Sequence, residues 1–285
     1  MSYQENFKRK EMKYLLNEQQ YKRIQSGLTY WMELNQFGRY GVRSVYYDTP
    51  NHMLAALSLE HPYYKEKLRL RTYIDGTNDD IAYVELKKKI DGVVYKRRLQ
   101  MSQSGACLFL TGTSYMEAKT QYPLVDDFSL RDESWKQEVQ IAQEIEAFLL
   151  RYKNLLPSMV VTAQRSAWQP LYDLDYENGL RITFDRDVCY ENLRVSEKRR
   201  NTRVSAIGRI IPADKTIMEV KSLGSLPLWL VRLLDVAQAY PTSISKYGQA
   251  YIISEGFKSH LHKMPHRPRL EMPQTFVPRA HTATI

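Results

Sequence analysis

Several stretches of the chain alternate apolar and polar residues with a period of two, and the polar parity is repeatedly basic. In Lys67-Leu68-Arg69-Leu70-Arg71, extended backbone sends Lys67, Arg69 and Arg71 to one face and both leucines to the other. The same code recurs in Phe7–Leu16, where Arg9, Glu11 and Lys13 share a parity. Ile81–Ile90 sets Tyr83, Glu85, Lys87 and Lys89 against Ala82, Val84 and Leu86, and Val93–Met101 puts Lys96 and Arg98 on one parity and Arg97 on the other. Met159–Trp168 carries Arg165 with Val161 and Ala163. Leu180–Val188 sets Arg181, Thr183 and Asp185 against Leu180, Ile182 and Phe184, and Thr216–Ser222 sets Ile217, Glu219 and Lys221 against Met218 and Val220. Arg43–Asp48 is a further strand, ended by the turn residues Thr49-Pro50-Asn51. Asp75–Asp80 and Asp91-Gly92 read as hairpin connections.

Helical periodicity appears elsewhere. Asn17 predicts an N-cap before Tyr21, Ile24, Leu28 and Trp31, which recur at three- and four-residue steps. A short helix is predicted at Met53–Leu59. Val139, Ala142, Ile145, Leu149 and Tyr152 mark a long helix within a mostly helical insertion over about 102–157, packed on the sheet rather than forming its own domain. Ser225 is the predicted cap of a helix with Pro227 in its first turn and Leu230, Leu233, Leu234 and Ala237 along it. A final short helix follows Ser245-Lys246-Tyr247-Gly248 and ends near Phe257. The main domain is expected over 1–257. Residues 258–285 form a Pro/His-containing tail whose composition suits disorder, and Ser196–Arg203 reads as a solvated basic loop.

The charged parities collect Arg9, Glu11, Lys13, Lys67, Arg69, Arg71, Glu85, Lys87, Lys89, Lys96, Arg98, Arg165, Arg181, Glu219 and Lys221 from seven or eight strands. An open sheet would present them as a broad cationic plate. Closure into an antiparallel barrel removes the sheet edges and gathers the charge in a lumen, with amphipathic helices over the apolar outside. An α+β fold built on a closed β-barrel is therefore the expectation.

Composition narrows the ligand. Lys and Arg number 41 against 32 Asp and Glu, a formal net charge of +9 that favours an anionic partner. Cys107 and Cys189 have no metal-site spacing, and no apolar run approaches the roughly 18 residues of a spanning helix, so a reduced, cytoplasmic chain is expected. Confined cations repel one another unless a highly charged ligand screens them. A linear triphosphate or polyphosphate fits, bound by arginine forks and lysine point charges. The carboxylates suggest a divalent metal bridging phosphate oxygens, with Glu219 the first candidate. For Glu11 and Glu85, salt bridging to neighbouring cations is an equal alternative. Nucleic acid is not expected, because aromatics are not interleaved with the basic residues as readers of single strands require.

Glu11-Met12-Lys13-Tyr14, Ser44-Val45-Tyr46-Tyr47-Asp48-Thr49-Pro50, Lys67-Leu68-Arg69-Leu70-Arg71, Val84-Glu85-Leu86-Lys87, Arg165, Leu180-Arg181-Ile182, Met218-Glu219-Val220-Lys221 and Ser245-Lys246-Tyr247 resemble, in order and spacing, the VTC domain. That is the polyphosphate polymerase branch of the triphosphate tunnel (CYTH-like) superfamily, and the likeness runs from about Phe7 to Phe257. The resemblance implies an eight-stranded antiparallel tunnel, Mn²⁺ or Mg²⁺, and transfer of the terminal phosphate of ATP onto polyphosphate. It implies that Lys13, Arg69, Arg71, Lys87, Lys96, Arg98, Arg165 and Arg181 bind phosphates, that Lys246 contacts them near the tunnel mouth, and that Glu219 holds the metal. Lys221 joins the phosphate set by parity, and Arg69, Arg71, Lys13 and Glu219 are the expected catalytic residues. The wider superfamily often begins with Glu-x-Glu-x-Lys, whereas Arg9 stands at the first glutamate here, a departure that suits the VTC branch. Any membrane coupling is expected to come from a separate membrane protein, and the oligomeric state is left open. A metal-dependent tri- or polyphosphate hydrolase and a non-catalytic polyphosphate or nucleic-acid binder are the alternatives.

Overall fold

The computed structural model describes residues 10–60, 63–74, 80–91, 93–124, 134–171, 179–194 and 207–254. The strands are β1 (Lys10–Leu16), β2 (Met32–Asp48), β3 (Tyr64–Ile74), β4 (Ile81–Ile90), β5 (Val93–Ser102), β6 (Leu156–Pro170), β7 (Arg181–Asn192), β8 (Ile207–Arg209) and β9 (Thr216–Ser222). The helices are α1 (Glu18–Leu28), α2 (Met53–Leu59), α3 (Gln103–Leu110), α4 (Tyr115–Gln121), α5 (Ser134–Arg151), α6 (Leu228–Val236) and α7 (Lys246–Ser254). Arg9, most of the Asp75–Asp80 connection, Gly92, the Ser196–Arg203 loop and the 258–285 tail lie outside the described residues.

All strand pairs are antiparallel, in the order β1-β9-β7-β6-β2-β3-β4-β5 with β8 on β7. Among the described residues β1 and β5 do not pair, so the expected closed eight-stranded barrel is instead an open, nine-stranded sheet. β1 nonetheless approaches the strand next to the far end through side chains: Glu11 on β1 lies 3.7 Å from Lys87 on β4. Side-chain parity reports which face a residue occupies and carries no information on whether the last strand meets the first. The β5 margin is guarded by Lys96, Arg97 and Arg98, a way of blocking strand addition without closure.

The alternation works as read. The apolar parity packs outward, and the helices cover it. Leu68, Leu70, Val84, Leu86 and Leu99 of β3–β5 share one core with Phe109 (α3), Ala118 (α4) and Ile145 and Phe148 (α5). Tyr14, Leu16, Ile182, Phe184, Met218 and Val220 of β1, β7 and β9 meet Ile24 and Leu28 of α1 and Leu230 and Leu234 of α6. Each fully buried side chain of this size contributes about 1.5–3 kcal/mol. Asn17 caps α1 as expected, with a reciprocal Gln20 contact. The cap of α6 is Pro227 rather than Ser225, with no side-chain hydrogen bond. β2 is far longer than Arg43–Asp48, because its first half pairs with the distant β6, a partner that local pattern does not reveal.

The insertion is fastened to the sheet by polar contacts that periodicity could not show. Glu66, buried on the outer face of β3, accepts from Tyr152 Oη at 2.9 Å and Arg151 Nη1 at 3.2 Å. Arg97, on the outward parity as expected, binds Glu144 of α5 at 2.9 Å.

Asp48 ties together the elements at one end of the sheet. Its buried carboxylate accepts from Leu54 and Ala55 backbone N–H at the start of α2, from Thr49, and from Tyr247 Oη on α7. Asp48→Ala would strand several buried donors, so unfolding in urea is expected to show a loss of about 3 kcal/mol or more. A loss under about 1 kcal/mol would show that α2 and α7 dock without it.

Candidate functional site

The inward parity of the sheet lines a cavity of about 540 Å³. Its wall includes Glu11 and Lys13 (β1), Ser44 and Tyr46 (β2), Lys65, Lys67, Arg69 and Arg71 (β3), and Glu85, Lys87 and Lys89 (β4). Arg165 (β6), Asp185 (β7), Glu219 and Lys221 (β9) complete it, with the segment from Pro241 to Tyr247. Among the described residues the lining holds no histidine or cysteine.

Two carboxylate hubs organise the arginines. Glu85, with no exposed side-chain surface, receives Arg69 Nη2 at 2.6 Å and Nε at 2.7 Å on Oε2, and Lys96 Nζ at 2.7 Å and Arg98 Nε at 2.8 Å on Oε1. Burial alone would raise its pKa, yet Arg69, Arg71, Lys96 and Arg98 hold it well below the usual carboxylate range. Asp185 forms a two-pronged pair with Arg165, 2.6 Å to Nε and 2.7 Å to Nη2. It sits at about 2 because Arg165 and Lys246 outweigh the cost of burial. Lys246, the first residue of α7, bridges the hubs' neighbours, with Nζ 2.5 Å from Asp185 Oδ2 and 2.8 Å from Glu219 Oε1.

β2 supplies neutral partners. Ser44 Oγ accepts from Arg71 Nε at 3.2 Å, and Tyr46 Oη accepts from Arg69 Nη1 at 3.1 Å. The Tyr46 ring stacks on Tyr247 at 4.5 Å. Although burial opposes it, Arg69, Arg71 and Lys67 pull the Tyr46 hydroxyl down to about 8. The Pro241–Tyr247 segment crosses the wall: Lys13 Nζ donates to Ile244 O at 2.9 Å and Lys67 Nζ to Ser245 Oγ at 2.9 Å.

Thus Lys13, Arg69, Arg71, Lys87, Arg165, Lys221, Lys246, Glu11, Glu85 and Glu219 all come together around the cavity. Lys96 and Arg98 are not in its lining: they reach Glu85 from β5, and Arg98 also donates to Tyr73 Oη and lies over the Tyr83 ring. Arg181 is exposed at the start of β7, opposite Lys221 and outside the lining. Asp185 and Tyr46 also line the cavity and are not among the residues the sequence singles out, although Asp185 shares its parity with Arg181. For Tyr46 the available signal was its alternation with Ser44. Lys67, the fourth residue of β3, lies in the wall.

A divalent ion fits this donor set only together with ligand oxygens. Among the described residues no three His, Cys, Asp or Glu side chains are close enough to hold a metal. Both Glu85 oxygens are taken by cations. Glu219 Oε2 is freer, its nearest cation being Lys221 at 3.9 Å. Thr183, its cross-strand neighbour, has a buried hydroxyl without a hydrogen-bond partner. Mg²⁺ and Mn²⁺ commonly need one or two protein carboxylates and take the rest from phosphates and water, so Glu219 with Glu11 nearby suits an ion that arrives with phosphate.

A family model described as the VTC domain matches residues 8–254. Solved structures of similar shape include a protein named as a putative adenylate cyclase from Bacillus halodurans, 13% identical, with 84% of this chain and 95% of that one covered and a TM-score of 0.42. Another, from Vibrio parahaemolyticus and described in the same words, is 10% identical with 87% and 100% covered and a TM-score of 0.43. No curated protein matches the sequence.

The electrostatics make two predictions. Glu85→Gln removes one buried charge and deprives four cations, Arg69, Arg71, Lys96 and Arg98, of their shared carboxylate, so it is expected to cost about 3–5 kcal/mol in denaturant unfolding. A neutral result would show that solvent already screens those cations. The second concerns pH. Burial and neighbouring cations depress Lys67 and Lys221 from 10.5 to about 8, and Tyr46 also falls to about 8. Between the folded and unfolded pKa values the unfolded chain binds more protons, so these groups make the free protein more stable as pH rises from about 8 towards 10. Tripolyphosphate affinity should fall over the same range as the wall loses positive charge. Calorimetric affinity that is flat from pH 7 to 9.5 would contradict the assignment.

Proposed function

The chain belongs to the VTC-domain family, and from that premise we propose that it transfers the terminal phosphate of ATP onto a polyphosphate chain held in its basic cavity. The observation that carries this reading is the cavity wall itself, which is crowded with Lys and Arg and, among the described residues, contains no histidine or cysteine to activate a nucleophile. Phosphoryl transfer through a loose transition state asks for positioning and charge neutralisation more than for covalent help. A polyphosphate end is already ionised, so its oxygen attacks the γ-phosphorus without a general base, and the bond to the β–γ bridging oxygen breaks to release ADP.

In this reading Arg69 and Arg71 hold the transferring phosphoryl group. Glu85, Tyr46 and Ser44 fix both guanidinium planes before the ligand arrives, so little reorganisation remains at the moment of reaction. Arg165, oriented by Asp185, faces them from β6. Lys13, Lys87 and Lys221 offset charge on the flanking phosphates. Lys246 supplies a further cation from α7, and Lys96 and Arg98 act through Glu85. Arg181 serves ligand approach from outside the cavity. The triphosphate-tunnel superfamily generally uses a divalent ion; Glu219, with Glu11 beside it, would hold it, and it would supply neutralisation of phosphate charge.

Incubating purified protein with ATP and Mn²⁺ tests the proposal. A ladder of long polyphosphate on a gel is the expected outcome, whereas release of free phosphate alone would assign hydrolysis and sink polymerisation. Arg71→Gln should lower kcat/KM by about 100-fold or more. Glu219→Ala should abolish the dependence on Mn²⁺ together with turnover, and full turnover in that variant would remove Glu219 from the metal role.

A further inference from the structure

One apolar cluster lies on the charged face of the sheet. Tyr40 and Val42 of β2, Tyr73 of β3 and Ala167 of β6 pack together, apart from the cores beneath the helices. All four stand on the inward parity: Tyr40 and Val42 share it with Ser44 and Tyr46, Tyr73 with Arg69 and Arg71, and Ala167 with Arg165. Tyr83 of β4, on the parity of Glu85 and Lys87, adds a further ring. The rings meet edge to face in series, Tyr40 on Tyr73 and Tyr73 on Tyr83, each pair 5.6 Å apart between centroids. Exposed Phe37 continues the series to the surface, 6.4 Å from Tyr40.

The cluster stands where the cavity ends. Val42, Arg71, Glu85 and Arg165 belong to the wall, whereas the next inward residues on the same strands, Tyr40, Tyr73, Tyr83 and Ala167, line no part of it. The change from charge to aromatic ring is complete within two residues, about 7 Å along a strand. Tyr40 is 6% exposed and Ala167 has no exposed surface, so the described residues leave no passage between them. Arg98 closes the side towards β5: its Nη2 donates to Tyr73 Oη at 2.8 Å, and its guanidinium carbon lies 4.1 Å from the Tyr83 ring centroid. At the opposite end the lining includes exposed Val94 with Lys65 and Lys89, and there the cavity opens.

We infer that Tyr40, Tyr73 and Tyr83 form a floor that makes the cavity single-mouthed, so that a linear phosphate chain enters end first and presents only its terminal phosphate to Arg71. The inference rests on the proposed function for the class of ligand and goes beyond it in naming what selects the chain end. A phosphate chain carries charge at every unit. Passing it between packed rings would strip its hydration without supplying cations in exchange, so the rings stop it chemically as well as sterically. Arg71 is the last cation of β3 before the floor and faces Tyr83 across the ladder. A phosphate held by Arg71 therefore rests at the bottom of the cavity, with the remainder of its chain directed to the mouth. An internal phosphate cannot reach that position, because a chain extends from it on both sides.

The test uses the full chain and a long polyphosphate blocked at one end by a phosphoramidate-linked biotin held in streptavidin, far larger than the cavity of about 540 Å³. Calorimetry first measures binding of this chain to the parent protein. With protein in excess, an exopolyphosphatase then attacks the free end, and a control without it subtracts any turnover by the protein itself. A floor buries the free end, so trimming is expected to slow about ten-fold or more relative to the unbound chain. Trimming at the unbound rate would overturn the inference, because the chain would then pass through the far end or lie along the unpaired β1–β5 margin with its end free. Tyr40→Ala should lift the protection and Tyr40→Phe should keep it, since the bulk of the ring and not its hydroxyl makes the stop. Tyr83→Ala, at a half-buried position, makes the same opening if thermal melting shows that Tyr40→Ala does not fold. A folded alanine variant that still protects the end would overturn the floor and leave the cluster a purely structural core. Calorimetry separates the two levels of the argument. If the parent binds no polyphosphate, the proposed function fails and this inference with it, whereas binding without protection removes the floor alone.

Discussion

Everything about the cavity depends on Glu85, a carboxylate with no solvent exposure whose two oxygens take Arg69, Lys96 and Arg98 at 2.6–2.8 Å. A sheet that turns its charges inward and its core outward must answer for the repulsion this creates. Charges confined at low dielectric interact far more strongly than on a surface. Glu85 answers at the β3–β5 side, and Asp185 does the same for Arg165 at the β6–β7 side. Between them Lys246 is shared by Asp185 and Glu219. The guanidinium groups are thereby oriented as well as neutralised, and orientation is what a site for phosphate geometry requires.

The compensation is uneven, and the unevenness has direction. At the arginine end nearly every cation has a carboxylate or a phenol in contact. Toward the start of β3 and the end of β4, lysine faces lysine across the ladder. Burial and the neighbouring Lys13, Lys65 and Lys87 bring Lys67 down to about 8. Positive charge is thus less compensated at the lysine end of the ladder than at the arginine end.

The helices serve this arrangement from outside. α3, α4 and α5 cover the leucine face of β3–β5, and α1 and α6 cover that of β1, β7 and β9, which releases the inner face from any duty to the core. Asp48 then fastens α2 and α7 to the end of β2. That contact sets where Lys246 and Tyr247 enter the wall. A single buried carboxylate therefore links helix docking to the position of two cavity residues.

Much of this was legible from spacing alone. Period-two alternation assigned Lys67, Arg69, Arg71, Glu85, Lys87, Glu219 and Lys221 to one face, because a strand leaves each side chain only two directions. The same rule placed Arg97 outward and Asp185 inward. Helical stripes located α1, α5 and α6 for the corresponding reason at a period near 3.6. What the pattern could not carry was any relation between residues distant in sequence. Only the tertiary structure decided that β1 and β5 remain unpaired, that Lys96 and Arg98 reach Glu85 instead of the cavity, and that Lys246 lies between Asp185 and Glu219. It alone set the register by which Lys65 meets Lys89. Facing direction is a local property of backbone geometry, whereas pairing, register and charge compensation are set by which strands become neighbours.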